Sequence, residues 1–175
     1  KLKVVSIMPG TAKKFEAARP ELTTDGMPDV DLVLTTQELA QMIDEAGIVF
    51  SELEDDSLDM PFGFTTGGGV IFGVTGGVAE ATLRAAYEMI TKDEMGPINF
   101  EAVRGFTGLK SAEVQIGDNT VRIAVVHGLN NTKALISDIK AGKVEYDLIE
   151  VMACPGGCIG GAGQPVDTTG EAKKK

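Results

Sequence analysis

Asp147-Leu148-Ile149-Glu150-Val151-Met152-Ala153-Cys154-Pro155-Gly156-Gly157-Cys158-Ile159-Gly160-Gly161-Ala162-Gly163-Gln164-Pro165 is the stretch that decides how this chain is read. Its opening residues form an apolar run that enters a loop as a buried strand does. The loop holds both cysteines of the chain, separated by three residues, and is dense in glycine. Two thiolates so spaced can face one metal centre. Glycines let the backbone approach closely and aim its N–H groups at an anion. An iron–sulfur cluster is such an object: thiolates hold its iron, and N–H donors tune its sulfurs. Other readings stay open on these residues alone. The cysteines could close a short disulfide loop, or be small buried side chains. They could bind zinc, with His127 as a third soft ligand where a closed site needs four.

The chain has 175 residues and a formal net charge of −10. One domain of this length buries roughly 70% of its unfolded surface. The acidic excess argues against nucleic-acid backbones and anionic membranes as partners. No apolar run is long enough to span a bilayer, and no secretory signal precedes the fold. Two cysteines are too few for a disulfide scaffold and fit a reducing cytoplasm. The chain opens on Lys1-Leu2-Lys3-Val4-Val5-Ser6-Ile7-Met8, already inside a strand pattern. It closes on Gly170-Glu171-Ala172-Lys173-Lys174-Lys175 without a helix-stop signal. Residues 1–175 therefore read as a single-domain fragment of a longer protein.

Upstream of the cysteine loop, a strand over Leu2–Met8 is broken by Pro9-Gly10 and followed by a polar loop or short helix, Thr11–Glu16. Ligands in open α/β sheets sit where strands end, which makes Lys13 and Lys14 candidate anion contacts beside the plainer reading of a solvated basic pair. Arg19–Asp29 is turn-rich. A short strand at Asp31–Leu34 leads to Thr35-Thr36-Gln37-Glu38, a capping box. The helix it starts carries Leu39, Met42, Ile43 and Ala46 at core spacing and stops at Gly47. The acidic run Ser51–Asp59 lacks the spacing of a calcium loop and reads as solvated.

Gly63–Gly77 is a second glycine-rich region, leading into a helix over Val78–Ile90 whose apolar face is Leu83, Ala86, Tyr87 and Ile90. A helix N-terminus behind glycines can face an anion; close packing through glycine is the commoner role. A strand is expected at Ile98–Val103. A hairpin pairs Ala112–Ile116 with Thr120–Val126 around Gly117-Asp118-Asn119. His127 ends that hairpin, as a proton donor or as a ring bonded to a backbone carbonyl. Asn130 or Asn131 caps a helix over Thr132–Ala141, ended by Gly142. The class is α/β, with a mixed, largely parallel sheet flanked by helices.

Glu150-x-Met152-Ala153-Cys154-Pro155-x-Gly157-Cys158, with its glycine run to Pro165, resembles the third signature of the catalytic domain of the diiron (FeFe) hydrogenases. Met8, Pro9, Lys13 and Glu16 match the second signature, and the resemblance covers nearly the whole chain. It implies the C-terminal half of that domain and a 4Fe-4S cubane bridged to a diiron subcluster carrying CO, cyanide and a dithiolate, the H-cluster. By motif position Cys158 would be the bridging thiolate and Cys154 a cubane ligand. Lys13 would bond a cyanide, Pro9 would lie near the diatomic ligands, and Met8 and Met152 would pack around the diiron unit. The family reaction is 2H⁺ + 2e⁻ ⇌ H₂. Implied partners are the N-terminal remainder of the domain and iron–sulfur electron-relay domains or subunits. Gly10 stands where the second signature has a cysteine ligand, Ala79 stands where the family usually has methionine, and the first signature is absent from the chain. An electron-transfer or scaffold part of a larger redox complex is therefore the alternative to a hydrogenase.

Overall fold

The structure is a computed structural model describing residues 2–60, 63, 66–99, 101–102 and 107–166. It divides into two compact units, Lys1–Gly63 with Ile159–Lys175, and Phe64–Cys158.

In the first unit, β1 (Val5–Met8) is followed by α1 (Ala12–Ala17). A two-residue ribbon, β2 (Thr23–Thr24) with β3 (Met27–Pro28), leads to β4 (Leu32–Thr35) and α2 (Thr36–Glu45). Strands β1 and β4 pair in parallel, Val5 opposite Leu32 and Met8 opposite Thr35. The expected capping box forms: the Glu38 N–H donates to Thr35 Oγ1 (3.1 Å), and the Thr35 N–H donates to the Glu38 carboxylate (2.8 Å). Gly47 follows the helix at φ +68°. The expected core stripe on α2 is not covered. No residue of the helix is buried, and Met42 is exposed. A two-stranded sheet offers too little apolar surface to cover a helix face. Its own Val5, Ile7 and Leu32 lie open as well, although parallel sheets occur almost only with both faces covered. The acidic run from Ser51 to Asp59 is exposed, as expected of a solvated segment.

The second unit opens with α3 (Gly67–Ile71) and α4 (Gly77–Thr91). A four-stranded sheet follows: β5 (Glu101–Ala102), β6 (Leu109–Ile116), β7 (Asn119–His127) and, after α5 (Leu129–Lys140), β8 (Leu148–Met152). The β5–β6 and β6–β7 pairs are antiparallel and β7–β8 is parallel. Of the strand expected at Ile98–Val103, Glu101–Ala102 is in strand, and Phe100 and Val103 lie outside the described residues. The hairpin is longer than expected at both ends, and its two-residue turn places Gly117 at φ +58°.

Strand β7 is the centre of this unit because alternate side chains pack to opposite faces. Ile123 and Val125 join Ala79 and Leu83 of α4 and Val114 and Ile116 of β6. Ala124 and Val126 join Leu109 of β6 and Leu135 of α5. All four consecutive residues are 0–1% exposed, as expected of a strand buried on both sides. Ile90, expected on the apolar face of α4, is exposed at the helix end. Helix α5 starts three residues earlier than expected. Gly128, at φ +83°, turns the chain out of β7 and occupies the N-cap position, and no side chain caps the helix. The Asn131 amide instead donates to the carbonyl of His127 (2.8 Å).

The Lys14 ammonium, and after it the Thr35 N–H, hold the Glu38 carboxyl down to about 2. Its folded pKa is depressed, so its contribution to α2 is fully present above the ordinary value of 4.5 and is lost as pH falls toward about 2. A carbon-13 titration of Glu38 is expected to show its midpoint near that lower value. In Lys14→Met the midpoint should move up toward the ordinary one.

Candidate functional site

The cysteine loop leaves the sheet where two parallel strands end side by side, with His127 of β7 opposite Met152 of β8. The Gly128 N–H donates to the Met152 carbonyl (2.8 Å), which extends the pairing one step past the strands. The chain then turns through Gly156 (φ +83°) and Gly157 (φ +97°), conformations that side-chain-bearing residues adopt at a cost. The Gly157 N–H donates to the Cys154 carbonyl (3.1 Å), the Gly156 carbonyl accepts the Thr75 N–H (3.2 Å), and the Gly156 N–H donates to His127 Nδ1 (3.3 Å). A Cβ on Gly157 would lie 2.6 Å from the Thr75 nitrogen and 2.9 Å from the Gly73 carbonyl oxygen. The glycine is therefore a requirement of close approach.

Both cysteines are free thiols, Cys154 half-buried and Cys158 exposed, so no disulfide closes the loop. Met152 Sδ lies 3.9 Å from Cys158 Sγ. Beside the loop, the buried hydroxyl of Thr75 has no hydrogen-bond partner among the described residues. A buried polar atom without a partner is costly and fits a site completed by a bound group. Among the described residues, no group of three or more His, Cys, Asp or Glu side chains converges. A closed zinc site needs four ligands, and among the described residues Cys154, Cys158 and His127 do not converge as such a group. The loop fits two thiolate corners of a cluster, and a four-thiolate cubane would need two more from elsewhere.

Glu150, which the motif reading treated only as a signature residue, holds the loop's base in place. It is 8% exposed on β8, and its carboxylate accepts the N–H groups of Gly76 (2.6 Å) and Ala79 (2.7 Å) at the start of α4. The anion that meets the glycine-preceded helix is the protein's own carboxylate, which the helix dipole also favours. Close packing occurs too: a Cβ on Gly77 would overlap the carbonyl of Ile71. The sequence did carry a signal. A glutamate between Ile149 and Val151 in an apolar strand needs donors if it is buried.

Met8, Pro9 and Lys13 belong to the first unit, and Met152, Cys154 and Cys158 to the second. In the first unit, the end of the glycine run is strapped across β1 and β4. The Gly163 N–H donates to the Pro9 carbonyl, and the Gly163 carbonyl accepts the Gln37 N–H, both at 2.8 Å. A Cβ on Gly163 would lie 2.7 Å from Thr35 Cγ2 and 2.9 Å from the Pro9 oxygen. The lysine pair is engaged by carboxylates, Lys13 by Glu16 (2.6 Å) and Lys14 by Glu38 (2.7 Å). Met8 and Lys13 border a hollow of about 170 Å³ with Ser6, Leu22 and Val33. At Gly10 a Cβ would meet nothing nearer than Lys13 Cγ at 4.0 Å.

Residues 1–162 match the family described as iron only hydrogenase large subunit, C-terminal domain. The periplasmic Fe hydrogenase large subunit of Nitratidesulfovibrio vulgaris is 55% identical over 162 residues, covering 93% of this chain and 38% of that protein. The cytosolic iron-sulfur assembly component 3 of Rattus norvegicus is 33% identical over 173 residues, covering 91% of this chain and 35% of that protein. The FeFe-hydrogenase HydA1 of Chlamydomonas reinhardtii superposes with a TM-score of 0.80 at 36% identity, covering 98% of this chain and 51% of that one. The chain spans less than two fifths of the length of the two curated relatives.

Glu150→Ala would leave two helix donors buried without an acceptor and is expected to cost roughly 3 kcal/mol or more. Glu150→Gln keeps one acceptor oxygen and should cost about half of that. Urea unfolding followed by circular dichroism checks both, and equal stability of all three proteins would refute the assignment.

Proposed function

This chain belongs to the iron-only hydrogenase large-subunit family, whose C-terminal domain it matches over residues 1–162, and from that membership we propose that it is part of an iron–sulfur oxidoreductase with the family reaction 2H⁺ + 2e⁻ ⇌ H₂. The observation that carries the proposal is the loop from Cys154 to Cys158: two free thiols on a backbone pinned so closely that Gly157 admits no side chain. In this reading Cys154 and Cys158 would be thiolate ligands of a 4Fe-4S cubane with a diiron subcluster carrying CO and cyanide, and Met8, Pro9, Lys13 and Met152 would be the residues that contact the diiron part. When bound, the group stores the electrons and offers the metal at which hydrogen reacts.

The chain's own residues supply position and charge. Glu150 fixes the strand that delivers Met152 and Cys154. The glycines seat the loop against the Gly73–Thr75 backbone and so fix the positions from which the two thiols depart. Lys13 is the cation of the second-signature turn, and turning from Glu16 would let it bond an anionic ligand. The remaining thiolates come from the N-terminal remainder of the domain. The open apolar faces of β1, β4 and α2 support that partner, because they are the surfaces a larger sheet would cover. Electrons arrive through iron–sulfur relay domains or subunits. Among the described residues no helix is long and apolar enough to cross a membrane. We place the protein in the reducing cytoplasm, where both cysteines stay reduced. The compartment is a property of the individual relative, since one of them is named periplasmic.

Gly10 favours a second reading. It stands at the position of a second-signature cysteine, and the space a side chain would fill is open. A cubane with that corner unligated is labile, and the fold would then serve as an electron-transfer or scaffold part of a larger redox complex. A relative named as an iron–sulfur assembly component, at 33% identity, supports use of this fold outside hydrogenases.

Iron and acid-labile sulfide analysis with an infrared spectrum of the reconstituted full-length protein separates the two. Bands of metal-bound CO and cyanide support the hydrogenase reading. Cubane iron without those bands supports the second, and absence of both iron and sulfide rejects cluster binding. Gly10→Cys is expected to raise cubane iron toward about four per protein chain, and unchanged iron content would reject Gly10 as the missing corner.

A further inference from the structure

We propose that His127 is the positioning residue of the cysteine loop, holding it through a neutral ring whose Nδ1 accepts the Gly156 N–H. The inference rests on the cluster reading only for what the loop is for. Its geometry stands by itself. The residue lies at the end of β7, and its backbone is fixed on both sides. Its backbone N–H donates to the Gly108 carbonyl (2.9 Å), and its carbonyl accepts the Asn131 amide (2.8 Å). Its ring edge lies over Gly108, where a Cβ would meet Cε1 at 2.9 Å and Nε2 at 3.1 Å. Gly108, at φ +88°, is therefore the cradle of the ring.

From that fixed position, Nδ1 takes the Gly156 N–H at 3.3 Å. A ring nitrogen that accepts a hydrogen bond carries no proton, which puts the ring proton on Nε2. Gly156 is the midpoint of the segment between the two thiols. Its N–H is held by His127 and its carbonyl by the Thr75 N–H, so the peptides on both sides of it are oriented from outside the loop. The Cys154 and Cys158 side chains depart from this oriented backbone. By sequence this histidine reads as a proton donor, as a third soft metal ligand or as a ring bonded to a backbone carbonyl. The contact observed is with an amide, and through that amide with the placement of both sulfurs.

His127→Asn places an amide oxygen near the Nδ1 position and keeps an acceptor. His127→Leu removes it at similar volume. In the metal-free full chain, Gly156 amide exchange and the alkylation rates of Cys154 and Cys158 are read by mass spectrometry. His127→Leu is expected to speed Gly156 exchange and to change the ratio of the two alkylation rates by about fivefold, the factor carried by one ordinary intramolecular hydrogen bond. His127→Asn should restore both. In reconstituted protein, iron loss to a chelator should accelerate in the leucine variant and recover in the asparagine variant. Unchanged exchange and alkylation in His127→Leu would overturn the proposal, and so would failure of His127→Asn to rescue a folded protein. If the unsubstituted chain binds no iron, the cluster reading fails while the exchange and alkylation results still decide the role of His127.

Discussion

A buried carboxylate at the start of a helix is the contact on which the second unit depends. Glu150 sits on a strand whose neighbours are apolar, where an unpaired charge would be expensive. It is tolerated because α4 presents the N–H groups of Gly76 and Ala79 with no intrahelical acceptor available. Each side removes the other's penalty. The result ties the beginning of a fifteen-residue helix to the strand position two residues before Met152. The hydrophobic core alone would permit small slips of β8 along β7, since one branched side chain packs much like another. A charge with two specific donors does not slip.

Glycine performs a second task here, distinct from flexibility. Gly157 and Gly163 lie where a single methyl group would run into backbone or Thr35. Their absence of side chain allows two segments to meet at backbone distance. Such meetings seat the cysteine loop on the backbone of Gly73 to Thr75 in the second unit and strap the second-signature turn through Pro9 in the first. The same property explains Gly108 beneath the ring of His127.

Both parallel strand pairs end beside residues of the proposed site. Met8 and Thr35 stand at the carboxyl ends of β1 and β4, and His127 and Met152 at those of β7 and β8. Parallel strands bring their carboxyl ends to one edge, where the following loops gather. The antiparallel hairpin of β6 and β7 carries no motif residue except His127, at its final position. It serves as the wall on which the parallel pair is built.

The two-residue ribbon of β2 and β3 is hidden in a stretch that reads as turns, while local chemistry is enough to recognise β1, β4, β8, the hairpin around Gly117, the capping box of Thr35 and Glu38, and the cysteine loop with its glycines. These depend on neighbours within a few residues, and their periods and caps are written into the chain. The start of α5 was misplaced because a glycine leaving a strand outcompeted the asparagines as the point of entry. Burial of the α2 stripe was misjudged because periodicity says which residues share a face and is silent on whether anything covers it. Three assignments needed the folded chain: Glu150 as the acceptor for α4, His127 as the acceptor for Gly156, and Gly163 as the clasp on Pro9. Each joins residues at least 29 positions apart. Only tertiary structure decides such pairs, because a donor and an acceptor far apart in the chain find each other through the geometry of the intervening fold. Nothing in the spacing of their letters records it.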